Sequence, residues 1–358
     1  MKRNIASNGV QRSGDRVLIT GGLGFIGAVL TEDFLRAGCR VHIVDSMVSN
    51  VTDGSELTSR YDDLDITEMS VSDFLARGRG LAQYDLIVHA ASHVGPASIL
   101  DNEGTIAKDI VRDVALVVEE CCKAGVPLIY FSSAEVYGKS GLLVEAEDIR
   151  VPPYYNARIE YALAKLTSEA IVMNSQTRGL RSVIIRPFNV VGPMQSRAGG
   201  FVMPTFVQQA LGGQPITIFA GGKQKRAFLG ARDFARFLTE HVTDEVLNAP
   251  RVFNVGNPMN EISVEELAHR VKKLLGSSSP IAYVDAREIY GPRYFEAESI
   301  EKLPHLKNAR EVGWEPRQGL DEIILETAEY YGSHEDTRGA DARQAEGELR
   351  AEQGARRG

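Results

Sequence analysis

The chain contains few cysteines, one tryptophan and no excess of basic residues. Its three cysteines, Cys39 and the adjacent Cys121 and Cys122, form neither a disulfide framework nor the spacing of a metal site. The formal net charge of −8 argues against nucleic acid as the main partner. No apolar run is long enough to span a bilayer, and the start, MKRNIASNGVQRSG, lacks the apolar stretch of a signal peptide. We therefore predict a cytoplasmic protein with reduced thiols, no metal and neither a nucleic-acid nor a membrane partner.

Short apolar runs alternate with helical patterns along the first half of the 358 residues. The predicted strands are RVLIT, RVHIVD, YDLIVHAAS, VPLIYFSS and RSVIIRPFN. This alternation predicts an α/β fold with a doubly wound parallel (Rossmann) sheet. The runs are apolar on both strand faces, as expected of a sheet covered on both sides. After RPFNVVGP the strands shorten and glycine and proline become frequent, which predicts a smaller C-terminal α/β domain.

A glycine-rich segment, TGGLGFIG, follows the first strand and opens a helix. It reads as G-x-G-x-x-G through Gly22, Gly24 and Gly27, and as G-x-x-G-x-x-G from Gly21. Glycine lets the backbone turn tightly and approach a pyrophosphate, which then lies on the helix N-terminus. The placement between a strand and a helix predicts a dinucleotide site.

Acidic residues near the next strand ends bear on the choice of dinucleotide. Asp45 ends the second strand, 21 residues after Gly24, where a carboxylate accepts both ribose hydroxyls and repels a 2′-phosphate. The sequence therefore predicts NAD as the cofactor, although a plain strand-end aspartate is the alternative. Asp65 and Ile66, in DLDIT, are predicted to lie beside the adenine.

Tyr161 and Lys165 form a Y-x-x-x-K pair in EYALAKLTSE. Four residues apart on a helix, they share one face. A lysine ammonium lowers the pKa of a neighbouring phenol, so Tyr161 is predicted to act as a base. Ser133 would then hydrogen-bond the hydroxyl that is oxidised, and the alternative is an exposed pair without a catalytic role.

Taken in order, TGGLGFIG, HAAS, SSAEVYG, YALAK and RPFNVVGP resemble the extended short-chain dehydrogenases, and among them the NAD-dependent epimerase/dehydratase family that acts on nucleotide sugars. The resemblance runs from about Arg16 to Tyr331. It implies an NAD-dependent enzyme with a nucleotide-diphosphate sugar as its partner. The implied cofactor-binding residues are Gly21, Gly24, Phe25, Ile26, Gly27, Asp45, Asp65, Ile66, Ala90, Ala91, Ser92, Tyr161 and Lys165. The implied substrate-binding residues are Ser133, Asn189, Arg226 and Arg293, and the implied catalytic residues are Ser133, Tyr161, Lys165 and Glu135.

The resemblance also implies a domain organisation and a homodimer. We expect an N-terminal extension, an NAD-binding domain, a nucleotide-sugar-binding domain and a disordered tail. Their predicted bounds are 1–15 for the extension, 16–188 with 231–255 for the NAD-binding domain, 189–230 with 256–332 for the sugar-binding domain, and 333–358 for the tail. Two helical stretches, 104–124 and 155–178, occupy the places of the family's intersubunit helices.

The type of reaction depends on the role of Glu135. The family oxidises C4 of the sugar, and the dehydratases add an acid before the residue that Glu135 matches, where this chain has Ala134. We therefore predict a 4-epimerase. The alternatives are a dehydratase, a decarboxylase or a C5-epimerase with Glu135 as base, and, in another class, a non-catalytic NAD-binding sensor or scaffold. Departures from the family pattern indicate an altered sugar pocket; they are the AGGKQ loop, Asp109, Arg112, Asp113, Ser299 and Ile300.

Overall fold

The computed structural model describes residues 13–78, 80–138, 143–145, 155–249, 251–285 and 301–333. Its main feature is a seven-stranded, all-parallel sheet in the order β11-β6-β5-β4-β1-β2-β3. The seven strands are β1 (Arg16–Thr20), β2 (Arg40–Asp45), β3 (Leu64–Glu68), β4 (Leu86–His89), β5 (Leu128–Phe131), β6 (Ser182–Pro187) and β11 (Arg251–Val255). The chain moves from β1 to β3 on one side and from β4 to β11 on the other, so the direction of winding reverses between β1 and β4. The predicted fold class is confirmed.

Helices cover both faces of this sheet because alternate strand residues point to opposite sides. Val17 and Ile19 pack in one apolar cluster, whereas Leu18 between them packs in another. The helices are α1 (Phe25–Arg36), α2 (Gly54–Arg60), α3 (Val71–Ala76), α4 (Pro96–Asp101), α5 (Ile106–Ala124), α6 (Ala157–Asn174), α7 (Val202–Leu211), α8 (Ala231–Arg236), α9 (Asp244–Asn248), α10 (Val264–Leu274), α11 (Lys307–Glu311) and α12 (Leu320–Ser333).

The smaller strands form three short sheets beside the carboxyl ends of the main one. They are β7 (Val190–Val191) with β10 (Leu229–Gly230), β8 (Ile216–Phe219) with β13 (Ile281–Val284), and β9 (Lys225–Ala227) between β12 (Glu261–Ser263) and β14 (Glu301–Lys302). A separate apolar cluster, which includes Met203, Phe206 and Phe228, joins them to α7, α10 and α12. The expected capping box is present at α10, where Ser263 and Glu266 bond each other's backbone N–H.

The predicted helix bounds need small corrections. The stretch 104–124 forms α5 only from Ile106, and 155–178 forms α6 followed by a short 3₁₀ turn. Helix α12 extends to Ser333, the first residue of the predicted tail, because its apolar face still packs on the small domain. The remainder of that tail and residues 1–12 lie outside the described residues.

Helix α6 is tied to the start of α5 by a side chain of its own. Glu160 accepts the backbone N–H groups of Gly104 (2.6 Å) and Ala107 (3.0 Å). A carboxylate at a helix N-terminus satisfies donors that have no partner within the helix and complements the helix dipole. This contact fixes α6 against α5 next to the position of Tyr161.

Among the described residues, no helix is both long enough and apolar enough to cross a membrane.

Candidate active site

The glycine loop between β1 and α1 leaves no space for a side chain at Gly21 or Gly27. Gly21 has φ +72°, and a Cβ there would lie 2.8 Å from the backbone of Ala91. A Cβ on Gly27 would lie 2.0 Å from the carbonyl oxygen of Gly21. Helix α1 begins at Phe25 without a capping side chain from Gly24, which leaves its first N–H groups to an anion. This loop therefore fits the pyrophosphate of NAD.

Asp45 braces the same loop from the end of β2. Its two carboxylate oxygens accept the N–H of Leu23 (3.0 Å) and of Met47 (2.9 Å). A carboxylate has about four acceptor positions, so Asp45 can still accept ribose hydroxyls. Its place at the strand end agrees with the predicted role.

Asp65 does not lie at a strand end, and this prediction needs correction. Strand β3 continues to Glu68, so Asp65 is its second residue. Its side chain is exposed and lies 3.8 Å from that of Arg16, the first residue of β1. It therefore lies at the opposite edge of the sheet from the glycine loop, and Ile66 packs partly buried against the core.

The turn after β4 lies against the glycine loop through Ala90 and Ala91, which with Ser92 are the residues predicted to contact the cofactor. Thr20 receives the N–H of Ala90 on its carbonyl (3.1 Å) and that of Ala91 on its hydroxyl (3.3 Å). The Thr20 hydroxyl also bonds Nδ1 of His89 at 2.7 Å. Burial, with a smaller contribution from Lys165, lowers the pKa of His89 to about 3, so this imidazole is neutral.

Ser133, Tyr161 and Lys165 come together in the interior. Tyr161 and Lys165 are 4% and 3% exposed, and the Tyr161 hydroxyl is hydrogen-bonded to Ser133. The Ser133 hydroxyl also accepts the N–H of Glu135 at 3.1 Å. Lys165 donates to the carbonyl of Phe131 (2.9 Å), and its Nζ lies 5.8 Å from the centre of the Tyr161 ring.

The ionisation of this group differs from the prediction. Burial raises the pKa of Tyr161, against the lowering effect of the Ser133 hydrogen bond, and Glu135 raises it further. Burial also lowers the pKa of Lys165 to about 7, with Glu169 acting in the opposite direction. Lys165 therefore loses its proton at a lower pH than Tyr161 does. It carries no charge at the pH at which the phenol ionises, so Lys165 by itself does not lower the pKa of Tyr161.

Glu135 is held between two cations that the sequence did not indicate. Arg158 donates to both of its oxygens (3.0 and 3.3 Å), and Nζ of Lys302 lies 2.6 Å from Oε1. Burial acts to raise the pKa of Glu135, but Arg158 and Lys302 together hold it well below its usual range. Arg158 lies three residues before Tyr161, a spacing that could have identified it.

Lys302 links this cluster to the small domain. In the pairing of β14 with β9, Lys302 lies opposite Arg226, so two cationic residues are neighbours across the strands. Burial lowers the pKa of Lys302 to about 8; Glu135 opposes this effect, and Arg158 and Arg226 add to it. Arg226 thus lies next to Lys302, the lysine that pairs with Glu135.

The other predicted substrate residues are placed less directly. Asn189 has φ +41° and donates its side-chain amide to the carbonyl of Ala227 (3.2 Å), next to Arg226 in the chain. Arg293, Ser299 and Ile300 lie outside the described residues. Asp109 lies 3.5 Å from Arg112 and 3.7 Å from His93.

Comparison with known proteins gives relatives along most of the chain. UDP-N-acetyl-alpha-D-glucosaminuronate decarboxylase of Bacillus cytotoxicus is 30% identical over 323 residues, which cover 86% of this chain and 96% of that protein. UDP-glucuronic acid decarboxylase 1 of Xenopus tropicalis is 27% identical over 320 residues, covering 88% and 72%.

Solved structures agree on the fold. UDP-N-acetylglucosamine 4-epimerase from Methanobrevibacter ruminantium superposes with a TM-score of 0.77 at 23% identity, covering 90% of this chain and 99% of that one. The model of the NAD dependent epimerase/dehydratase family matches residues 17–256. The chain, which has a glycine loop, a strand-end aspartate and a serine next to a buried tyrosine and lysine, belongs to the NAD-dependent epimerase/dehydratase family.

Proposed function

We propose that this protein decarboxylates a nucleoside-diphosphate hexuronate through a transient 4-keto sugar. The observation that carries the proposal is the cluster at Glu135. Beside Ser133 and Tyr161, a carboxylate is held ionised by Arg158, while Lys302 keeps a transferable proton.

The first step is oxidation at C4. Ser133 hydrogen-bonds the C4 hydroxyl and Tyr161 takes its proton. The loop at Gly21, Gly24 and Gly27 holds the pyrophosphate of NAD, and Asp45 and Lys165 hold its two riboses. NAD, when bound, supplies the hydride acceptor and a positively charged ring that favours the ionised phenol.

The second step distinguishes decarboxylation from the other C5 reactions. In a 4-keto uronate the C6 carboxylate is β to the ketone, so the electrons of the C5–C6 bond pass into an enolate as CO2 leaves. This step needs no base. Dehydration and C5-epimerisation instead require removal of the C5 hydrogen, and Glu135 is a weak base because its pKa is held low by Arg158 and Lys302.

The third step places a proton on C5, and Lys302 is suited to donate it. With a pKa of about 8, its ammonium is mostly protonated at neutral pH yet more acidic than an ordinary lysine. One proton is consumed for each CO2 released, and Tyr161 then returns its proton to the C4 oxygen as the ketone is reduced. The guanidinium of Arg226 would bind the diphosphate.

The names of the relatives support this proposal, since both relatives described above are decarboxylases of UDP-linked uronates. The 4-epimerase predicted from the sequence needs only Ser133, Tyr161 and Lys165. It stays a prediction, and it is the competing outcome of the test. The hydrogen bond between Ser133 and Tyr161, with Lys165 buried beside them in a member of an enzyme family, argues against the scaffold alternative.

The test uses mass spectrometry of UDP-glucuronate, UDP-N-acetylglucosaminuronate, UDP-glucose and UDP-N-acetylglucosamine, each incubated with the protein and NAD in D2O. Decarboxylation gives a product that has lost CO2 and gained one deuterium at C5. 4-Epimerisation leaves the mass unchanged, C5-epimerisation exchanges one hydrogen for deuterium with CO2 retained, and dehydration loses water. Turnover of the neutral sugars alone would contradict the proposal. So would uronate products that still have their C6 carboxylate.

A further inference from the structure

A buried ion pair lies behind the catalytic helix. Glu169, one turn after Lys165 on α6, accepts two hydrogen bonds from Arg186 of β6, at 2.8 and 2.6 Å. Both side chains are almost fully buried, at 6% and 4% exposed. A buried pair with this bidentate geometry fixes two elements rigidly, because separating its members leaves an uncompensated charge.

The network continues from Arg186 into the turn that carries Ser133 and Glu135. Arg186 donates from Nη1 to the hydroxyl of Tyr137 (2.8 Å), the last residue of that turn. The Tyr137 hydroxyl then donates to Oδ1 of Asn254 at 2.8 Å. Tyr137 is 1% exposed and Asn254 is fully buried, so both depend on these bonds rather than on solvent.

Asn254, on β11, carries the network to the segment of Lys302. Its amide nitrogen donates to the carbonyl of His305 (3.2 Å) and to that of Leu143 (2.8 Å). His305 is three residues after Lys302, and its own N–H bonds the carbonyl of Leu143 at 3.3 Å. A continuous chain of hydrogen bonds therefore runs from α6, through the last residue of the Ser133 turn, to His305, three residues after Lys302.

We propose that Tyr137 and Asn254 are positioning residues that align Lys302 with Glu135 and the reacting sugar. Neither residue touches a reacting atom. The Tyr137 hydroxyl is the central link of this network, because it joins the Glu169–Arg186 pair to Asn254. The assignment of a step to Lys302 rests on the proposed function, whereas the coupling of these residues to Lys302 does not.

Tyr137→Phe tests this link, because it removes the hydroxyl and keeps the aromatic ring. It leaves Nη1 of Arg186 and Oδ1 of Asn254 without their partner, a costly state for buried polar atoms. In rapid-quench experiments with a UDP-uronate, we expect the 4-keto sugar to form at a rate within about threefold of wild type. Its consumption should slow about tenfold, so that this intermediate accumulates.

Asn254→Asp provides a second variant. It keeps an acceptor for Tyr137 but replaces the donor to the carbonyls of Leu143 and His305, and we expect the same delay in the same step. Tyr84→Phe is the matched control, since that buried hydroxyl bonds His42 on β2, towards the opposite end of the strand order from β6 and β11. It should leave both rates near wild type.

A double-mutant cycle with Lys302→Met decides the coupling. If the network acts through Lys302, Tyr137→Phe should have little further effect in the Lys302→Met background, whereas Tyr84→Phe should have the same small effect in both. Additive effects of Tyr137→Phe, or equal slowing of 4-keto formation and consumption, would overturn the proposal. Non-additivity in a protein that releases no CO2 would instead support the network and refute only the decarboxylase function.

Discussion

Burial decides the ionisation of the side chains around the sugar site. It raises the pKa of Tyr161 and lowers those of Lys165 and Lys302. Only at Glu135 do neighbouring charges prevail, because Arg158 and Lys302 both bond its oxygens. At the scale of the residue, the site therefore contains a weakened carboxylate base and two lysines that are more acidic than usual.

The substitution Glu135→Gln tests the effect of this carboxylate on the pKa of Lys302, and the measurement is the pH dependence of kcat. Lys302 must be protonated to act as an acid, so activity should fall as the pH rises through its pKa of about 8. Glu135 raises that pKa, and Glu135→Gln should therefore move the alkaline limb of the kcat profile to lower pH. Glu119→Gln, which removes an exposed carboxylate paired with Arg178, should leave the profile unchanged.

Loss of the Tyr161 hydroxyl should stop the reaction at its first step. We expect Tyr161→Phe to lower kcat by about 10²- to 10⁴-fold, with NAD affinity retained in calorimetry. Tyr283→Phe makes the same change at an exposed phenol of β13 and should keep wild-type turnover. Near-native turnover of Tyr161→Phe would be incompatible with a 4-keto mechanism.

At the scale of the element, the glycine loop serves two different requirements. Gly27 permits α1 to pack against the loop, because its Cβ would lie 2.0 Å from the carbonyl oxygen of Gly21. Gly24 has an ordinary φ of −72°, and its Cβ would lie 3.4 Å from the same oxygen. Gly27 is therefore needed for folding, whereas Gly24 matters mainly for the approach of the ligand.

Two alanine variants separate these requirements. Gly27→Ala should destabilise the protein by about 1–3 kcal/mol or more through overpacking, seen as a lower Tm without nucleotide. Gly24→Ala should keep a Tm closer to wild type but weaken NAD binding, measured by calorimetry. Equal loss of Tm in the two variants would contradict the distinction.

At the scale of the whole molecule, the site is assembled across the two groups of sheets. Tyr161 and Glu135 belong to elements of the large sheet, whereas Arg226 and Lys302 face each other on β9 and β14. The Asn254 network ties these parts together through buried hydrogen bonds. If Arg226 binds the diphosphate and Lys302 donates the proton, as we propose, both roles depend on how the small sheets dock.

We also expect a homodimer formed through α5 and α6, as the family resemblance implies. Leu116, on α5, is 37% exposed in the single chain and would be covered in such a dimer. Light scattering should give twice the mass of one chain, and Leu116→Glu should shift the protein towards monomer by placing a charge in that interface. A wild-type protein that scatters as a monomer would refute this expectation.

Much of the fold and half of the site could be predicted from local patterns. The glycine loop, Asp45, and the Tyr161 and Lys165 pair depend on spacing within one strand, turn or helix, and such spacing is visible in the sequence. Asp65 was misplaced because the apolar run did not show that β3 continues to Glu68. Strand ends are determined by pairing with the neighbouring strand, which a local pattern does not contain.

The sequence by itself determined the parallel sheet and the choice of NAD, and it predicted the site residues Ser133, Tyr161 and Lys165. Only the tertiary structure decided the character of Glu135, because its partners Arg158 and Lys302 reach it from another helix and from a strand 167 residues away. The pKa of a carboxyl depends on burial and on charges within a few ångströms. Both are properties of the folded chain, and they make Glu135, for which the sequence left the role of a base open, the partner of two cations.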